Sequence, residues 1–269
     1  KEWGFAFMGT MVGTFVQSSS GPAGIGDFLD IMRESGEYIG RPELANAPVI
    51  FTGYSLGGLY SAYSSMALPE RTVGWAGYMG GWSLSPPYDC LKNVPCLFIA
   101  GQKDNNSIVG APLLRNMFLT WRTNGCPAAY AVSWGVAHKD DEGQSYETAL
   151  LYLNEVLKYR YPTNQFPGAE PGQTVRLNPV DMSNGWFGIT TVYNAPVWDL
   201  KIAPATNFLA DPATASWMPS EAAARYYRAF TTVYSSYYPN NFPAVKPFQS
   251  PPSITPPAAF AIYTQPATV

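Results

Sequence analysis

A serine framed by two glycines, Gly53-Tyr54-Ser55-Leu56-Gly57, constrains this chain more than any other feature. An apolar run, residues 47–52, leads into it, and a helix-like pattern, residues 58–66, leads away. Strand, sharp turn and helix in that order are what a G-x-S-x-G nucleophile elbow requires. Such a turn strains the backbone at Ser55 and lifts its hydroxyl above the sheet edge. Glycine at 53 and at 57 keeps Cβ atoms out of a crowded bend. The helix behind the serine directs its N-terminal N–H groups at negative charge forming beside Oγ.

A serine hydroxyl attacks poorly until a base takes its proton. The chain holds a single histidine, His138. It follows a second apolar run, residues 128–134, which places it in a loop after a strand. A carboxylate after an earlier strand would orient the imidazole and stabilise its charged form. Asp104 fits, because it follows the apolar run 94–100. Asp140 and Asp141 lie too near His138 in sequence to approach its ring from behind. Each residue also has a plainer reading: a glycine-rich turn, a surface or core histidine, and an aspartate that caps the helix beginning near Ala111. The combination, in the order Ser, Asp, His, predicts that Ser55, Asp104 and His138 form a catalytic triad.

With these residues the chain resembles the α/β-hydrolase superfamily, and within it secreted esterases of the dienelactone-hydrolase and polyhydroxyalkanoate-depolymerase kind. The resemblance covers about residues 1–160. Residues 3–9 look like the family's fourth strand and 25–36 like the next helix. Residues 49–52 look like the strand before the nucleophile; 73–79, 95–100 and 128–133 look like the sixth, seventh and eighth strands. Residues 146–159 form a helix whose apolar positions recur three and four apart. The resemblance implies a three-layer α/β fold with a mostly parallel sheet, and an oxyanion hole that includes the Leu56 N–H. The family's sheet has three strands before the point where this chain starts. Its third strand lies between the fourth and fifth, and the loop after that strand supplies the other oxyanion donor. The expectation is that those strands lie in a part absent here, either as a separate chain after nicking or as a further segment.

Length and composition bound the remainder. The 269 residues allow one large α/β domain plus an accessory region, and 46% hydrophobic content suffices for a core. A formal charge of -3 gives no support for nucleic-acid binding. Few charges with many Tyr, Trp, Pro and Gly suit a secreted protein. No run is long and apolar enough to span a membrane. Cys90, Cys96 and Cys126 make an odd count, read either as core thiols or as a Cys90 bridge plus one thiol. They lack zinc-ligand spacing, so no metal and no cofactor are expected. The sequon at 105–107 adjoins Asp104 and reads as a chance match.

The division expected is a hydrolase core at 1–161, an accessory or cap-like extension at 162–238, and a proline-rich extended tail at 239–269. Short strand-like runs occupy 174–177 and 189–193. Ser220 is placed to cap a helix over 221–230. The extension reads either as a cap over the active-site face or as a buttress for the core.

The chemistry expected is hydrolysis of a small or polymeric ester through an acyl-enzyme. Tyr54, Trp82 and Trp134 are candidate pocket residues, with Trp134 favoured as core and Trp82 as pocket. A peptidase on the same fold and a non-catalytic binding relative are the alternatives.

Overall fold

The computed structural model describes residues 25–80, 88–105, 110–139, 143–195, 197 and 199–232. The expected strand at 3–9, the question of an inserted strand beside it, Trp82, Asp140 and Asp141, residues 106–107 of the sequon and the tail at 239–269 lie outside those residues.

Four parallel strands form the central sheet in the order β1 (Val49–Tyr54), β2 (Thr72–Tyr78), β3 (Cys96–Gly101) and β4 (Ala128–Ser133). The register runs Thr52 to Ala76, Ala76 to Leu97 and Leu97 to Ala129. Helix α1 (Ile25–Tyr38) precedes β1. Helices α2 (Leu56–Ala67), α3 (Tyr88–Leu91), α4 (Ala111–Thr123) and α5 (Gln144–Arg160) each follow a strand. Apart from α3, for which there is no expectation, these elements match the sequence expectation, with ends displaced by one or two residues. Residues of β3 and β4 are buried throughout, because helices cover both faces of the sheet. Continuous apolar runs rather than alternation are the sequence signature of that arrangement.

Alternate strand residues feed two cores. Cys96, Phe98 and Ala100 pack with Ala62 of α2 and with Leu114, Phe118 and Trp121 of α4. Three large rings anchor this side: Trp75, Phe98 and Trp121 meet edge to face with centroids 5.1–5.6 Å apart. Such pairs add about 0.5–1.5 kcal/mol each beyond their buried area. Cys126 is buried in the same cluster, and the side chain of Cys90 lies outside the described part. Leu97 and Ile99 face the other way, onto Leu153 and Val156 of α5 and onto Ala223, Ala224 and Tyr227 of α6 (Glu221–Thr231). Ser220 caps α6 as expected, accepting from the Ala223 N–H at 3.1 Å. Its hydroxyl also donates to Glu155 of α5 at 2.8 Å, tying the two helices together.

Beyond α5 the strands differ from the expected positions. A three-stranded antiparallel sheet places β5 (Trp186–Gly188) between β6 (Ile202–Pro204) and β7 (Ser216–Met218). Residues 174–177 run without a ladder, and their alternation buries Val175 and Leu177 in the core instead. Residues 189–193 contain one bridge, Val192 to Ala195. This small sheet meets the main one at β4. Among the described residues no fifth parallel strand extends the outer edge of β4; the Tyr130 N–H donates to Ser216 Oγ at 3.0 Å. A side chain thus satisfies an edge donor that would otherwise be buried and unpaired.

Arg122, in the last turn of α4, is the second fastening. It is only 3% exposed, and burial lowers its pKa to about 10. Its guanidinium donates to the carbonyls of Ala215, Cys126 and Pro212 and stacks over the Phe187 ring. Carbonyls at the negative end of α4 and in the accessory segment stabilise the cation. Arg122→Leu removes three hydrogen bonds and leaves the buried Ala215 carbonyl without the guanidinium, while the Cys126 and Pro212 carbonyls keep the Ala128 and Ala215 N–H groups as donors. We expect a loss of about 1–3 kcal/mol in urea unfolding, the usual cost of one unsatisfied buried polar group.

Candidate active site

Ser55 is the single residue between β1 and α2, and it adopts φ 53° and ψ −117°. A positive φ strains any residue with a side chain. Three backbone bonds hold it there. Its N–H donates to the Tyr78 carbonyl at 3.0 Å, and its own carbonyl accepts from Gly58 at 3.0 Å and Leu59 at 3.4 Å.

The glycines around it act unequally. A Cβ at Gly53 would lie 2.3 Å from the backbone of Gly57, so position 53 requires glycine. A Cβ at Gly57 itself would meet nothing within 4 Å, which corrects the expectation that both sites exclude one. The tightest approach to the serine comes from a residue outside the G-x-S-x-G motif. At the end of β2, Met79 has φ 50° and turns the chain so that Gly80 lies against Ser55. A Cβ on Gly80 would sit 1.9 Å from the Ser55 carbonyl oxygen. The clue available in the sequence is a Met-Gly-Gly run directly after a strand, which marks a turn but not its partner.

Two loops at the same end of the sheet bring up the other two groups. Asp104 follows β3 and is 3% exposed. Its carboxylate Oδ2 lies 2.9 Å from His138 Nδ1, and His138 Nε2 lies 2.9 Å from Ser55 Oγ. An ionised carboxylate only accepts, so Nδ1 carries the proton and Nε2 accepts from the serine hydroxyl. Gly110 occupies the cap of α4, and the Asp104 carbonyl accepts from the Ala111 N–H at 3.2 Å.

The acid loop and the histidine loop are bonded to each other. Gln102 N–H donates to the Ser133 carbonyl at 2.9 Å and Lys103 N–H to Val136 at 2.7 Å. Gly135 N–H donates to Gln102 Oε1 at 2.9 Å. Gly101 permits the contact, since its Cβ would fall 2.8 Å from the Val136 and Ala137 carbonyls.

The remaining candidates divide. The Tyr54 ring lies beside the imidazole, with centroids 5.4 Å apart and planes tilted 36°. Leu56 opens α2, so its N–H has no preceding helical carbonyl to bond. Trp134 packs at the margin of the α2–α4 core, and its indole N–H donates to the Thr231 carbonyl at 2.6 Å. Among the described residues no cluster of three His, Cys, Asp or Glu is placed to hold a metal ion. None of the described helices is long and apolar enough to cross a membrane.

The parallel sheet covered on both faces is an α/β architecture, and a strained serine between a strand and the helix behind it is the turn that α/β-hydrolases use for a nucleophile. Similar solved structures include esterase PE8, at 23% identity and TM-score 0.37, over 50% of this chain and 63% of that one. SOBER1 from Arabidopsis thaliana follows at 17% and 0.36, over 49% and 64%. A CIB-like hydrolase from Thermoplasma acidophilum gives 14% and 0.34, over 48% and 58%. The chain thus spans less than two thirds of the length of each. No protein-family model matches it, and no curated protein sequence does.

The two glycine positions give a direct test of the turn. Gly80→Ala should destabilise the protein by about 1–3 kcal/mol through overpacking against Ser55. Gly57→Ala, with open space and a helical position, should cost less than about 1 kcal/mol. Thermal unfolding of the two variants checks the contrast.

Proposed function

We propose that this protein is a serine hydrolase that cleaves carboxylic esters through an acyl-enzyme. The observation carrying this reading is the pair of 2.9 Å contacts that link Asp104, His138 and Ser55 in one line. In the proposed reaction His138 Nε2 takes the hydroxyl proton as Ser55 Oγ attacks the ester carbonyl. The negative charge on the carbonyl oxygen forms beside the Leu56 N–H, which is one oxyanion donor. The resemblance implies a second donor from the loop after the family's third strand. Collapse of the tetrahedral intermediate breaks the bond to the alcohol, which leaves with the proton from His138. Water then attacks the acyl-enzyme, gives its proton to the same imidazole, and frees the acid and the serine. Asp104 keeps the ring oriented and stabilises its charged form. Removing one oxyanion donor from such a site typically costs about a hundredfold or more.

Esters rather than peptides are the preferred substrate class because the resemblance is to esterases. Tyr54, Trp82 and Trp134 are the proposed pocket residues, and secretion is the proposed location. The peptidase and the inert binding protein are the readings to exclude. An organophosphonate probe should label Ser55 covalently, and an inert scaffold would stay unlabelled. Ser55→Ala should lower kcat on an aryl ester by about a thousandfold or more, and Asp104→Asn by about a thousandfold to ten-thousandfold. Full esterase activity in Ser55→Ala would overturn the assignment. Cleavage of peptides with no cleavage of esters would favour the peptidase.

A further inference from the structure

A strip of aromatic rings leads away from the histidine. Tyr54 and Tyr78 are register partners at the ends of β1 and β2, with ring centroids 5.8 Å apart. Tyr146, in the first turn of α5, meets Tyr78 edge to face at 6.4 Å. Tyr54 in turn lies 5.4 Å from the His138 ring, which bonds Ser55 Oγ. Three separate elements therefore bring tyrosines to one crest beside the nucleophile. The two end members remain open, with Tyr54 37% and Tyr146 41% exposed, while Tyr78 between them is partly buried in the core.

That combination is unusual for rings that serve only the interior. A core tyrosine buries its body and finds one partner for its hydroxyl. Here the middle ring touches the outer two, and Tyr54, the residue before Ser55, keeps surface available while Tyr146 extends the strip beyond Tyr78. We propose that this strip is a substrate subsite for an aromatic ring, so that the ester is an aryl ester with its ring close to the scissile carbonyl. The inference rests on the ester-hydrolase reading of Ser55. An aliphatic chain laid along the strip gains only buried area. A planar ring gains in addition a tilted or edge contact, worth roughly two- to tenfold in binding per pair.

Matched ester pairs test the proposal on the whole chain. Methyl 3-phenylpropanoate against methyl hexanoate asks about a ring on the acid side; 3-phenylpropyl acetate against hexyl acetate asks about the alcohol side. We expect kcat/KM to favour the aryl member by about tenfold in one pair. Tyr146→Ala should reduce that ratio at least roughly threefold, and Tyr146→Leu, which keeps bulk without the ring, should do the same. Tyr38→Ala, on a residue 91% exposed at the end of α1, should leave the ratio as it is. No aryl preference in either pair, or a preference that both Tyr146 variants retain, overturns the subsite while leaving the hydrolase intact. If none of the four esters is cleaved and the organophosphonate fails to label Ser55, the hydrolase reading falls and the subsite with it.

Discussion

The backbone at Ser55 is the point on which the other features converge. A residue with a side chain at φ 53° stores about 1–3 kcal/mol of strain. That conformation persists because neighbours leave it no alternative. Tyr78 binds its N–H, the first turn of α2 binds its carbonyl, and Gly80 closes against it from β2. A relaxed conformer would break those bonds and push the α2 terminus off the sheet. The serine hydroxyl is consequently directed by covalent geometry rather than by side-chain packing. It already lies 2.9 Å from the imidazole Nε2.

Placement of the imidazole follows a different logic. No secondary structure contains His138 or Asp104, yet each loop is bonded to the other through backbone groups. The two loops behave as one layer over the ends of β3 and β4. Their spacing is then inherited from the parallel ladder between those strands. The 2.9 Å contacts are the outcome of sheet register carried through a few short turns.

Much of this was legible in the sequence, for identifiable reasons. The strands announce themselves as continuous apolar runs because both faces of the sheet are covered. Ser55, Asp104 and His138 each follow such a run, so their shared end of the sheet could be read before any contact was known. Other features were hidden. Gly80 is one glycine among many, and only the three-dimensional turn at Met79 reveals what it touches. The small sheet of β5, β6 and β7 has strands of three residues each, too short for alternation to register. Residues 174–177 carried the expected pattern without the ladder, since burial alone produces the same alternation. Arg122 gave no sign of its role, because the carbonyls it binds belong to a segment about 90 residues away.

The bond from Trp134 to Thr231 has a bearing on how the chain matures. It joins the start of the histidine loop to the last residue of α6, across 97 positions. During synthesis, domains form from the N-terminus onward as the chain emerges. The strands of the sheet and the serine turn leave the ribosome before residue 231 does. The histidine loop acquires its final tether only after that point, so a nascent chain carries the serine well ahead of a fully anchored base.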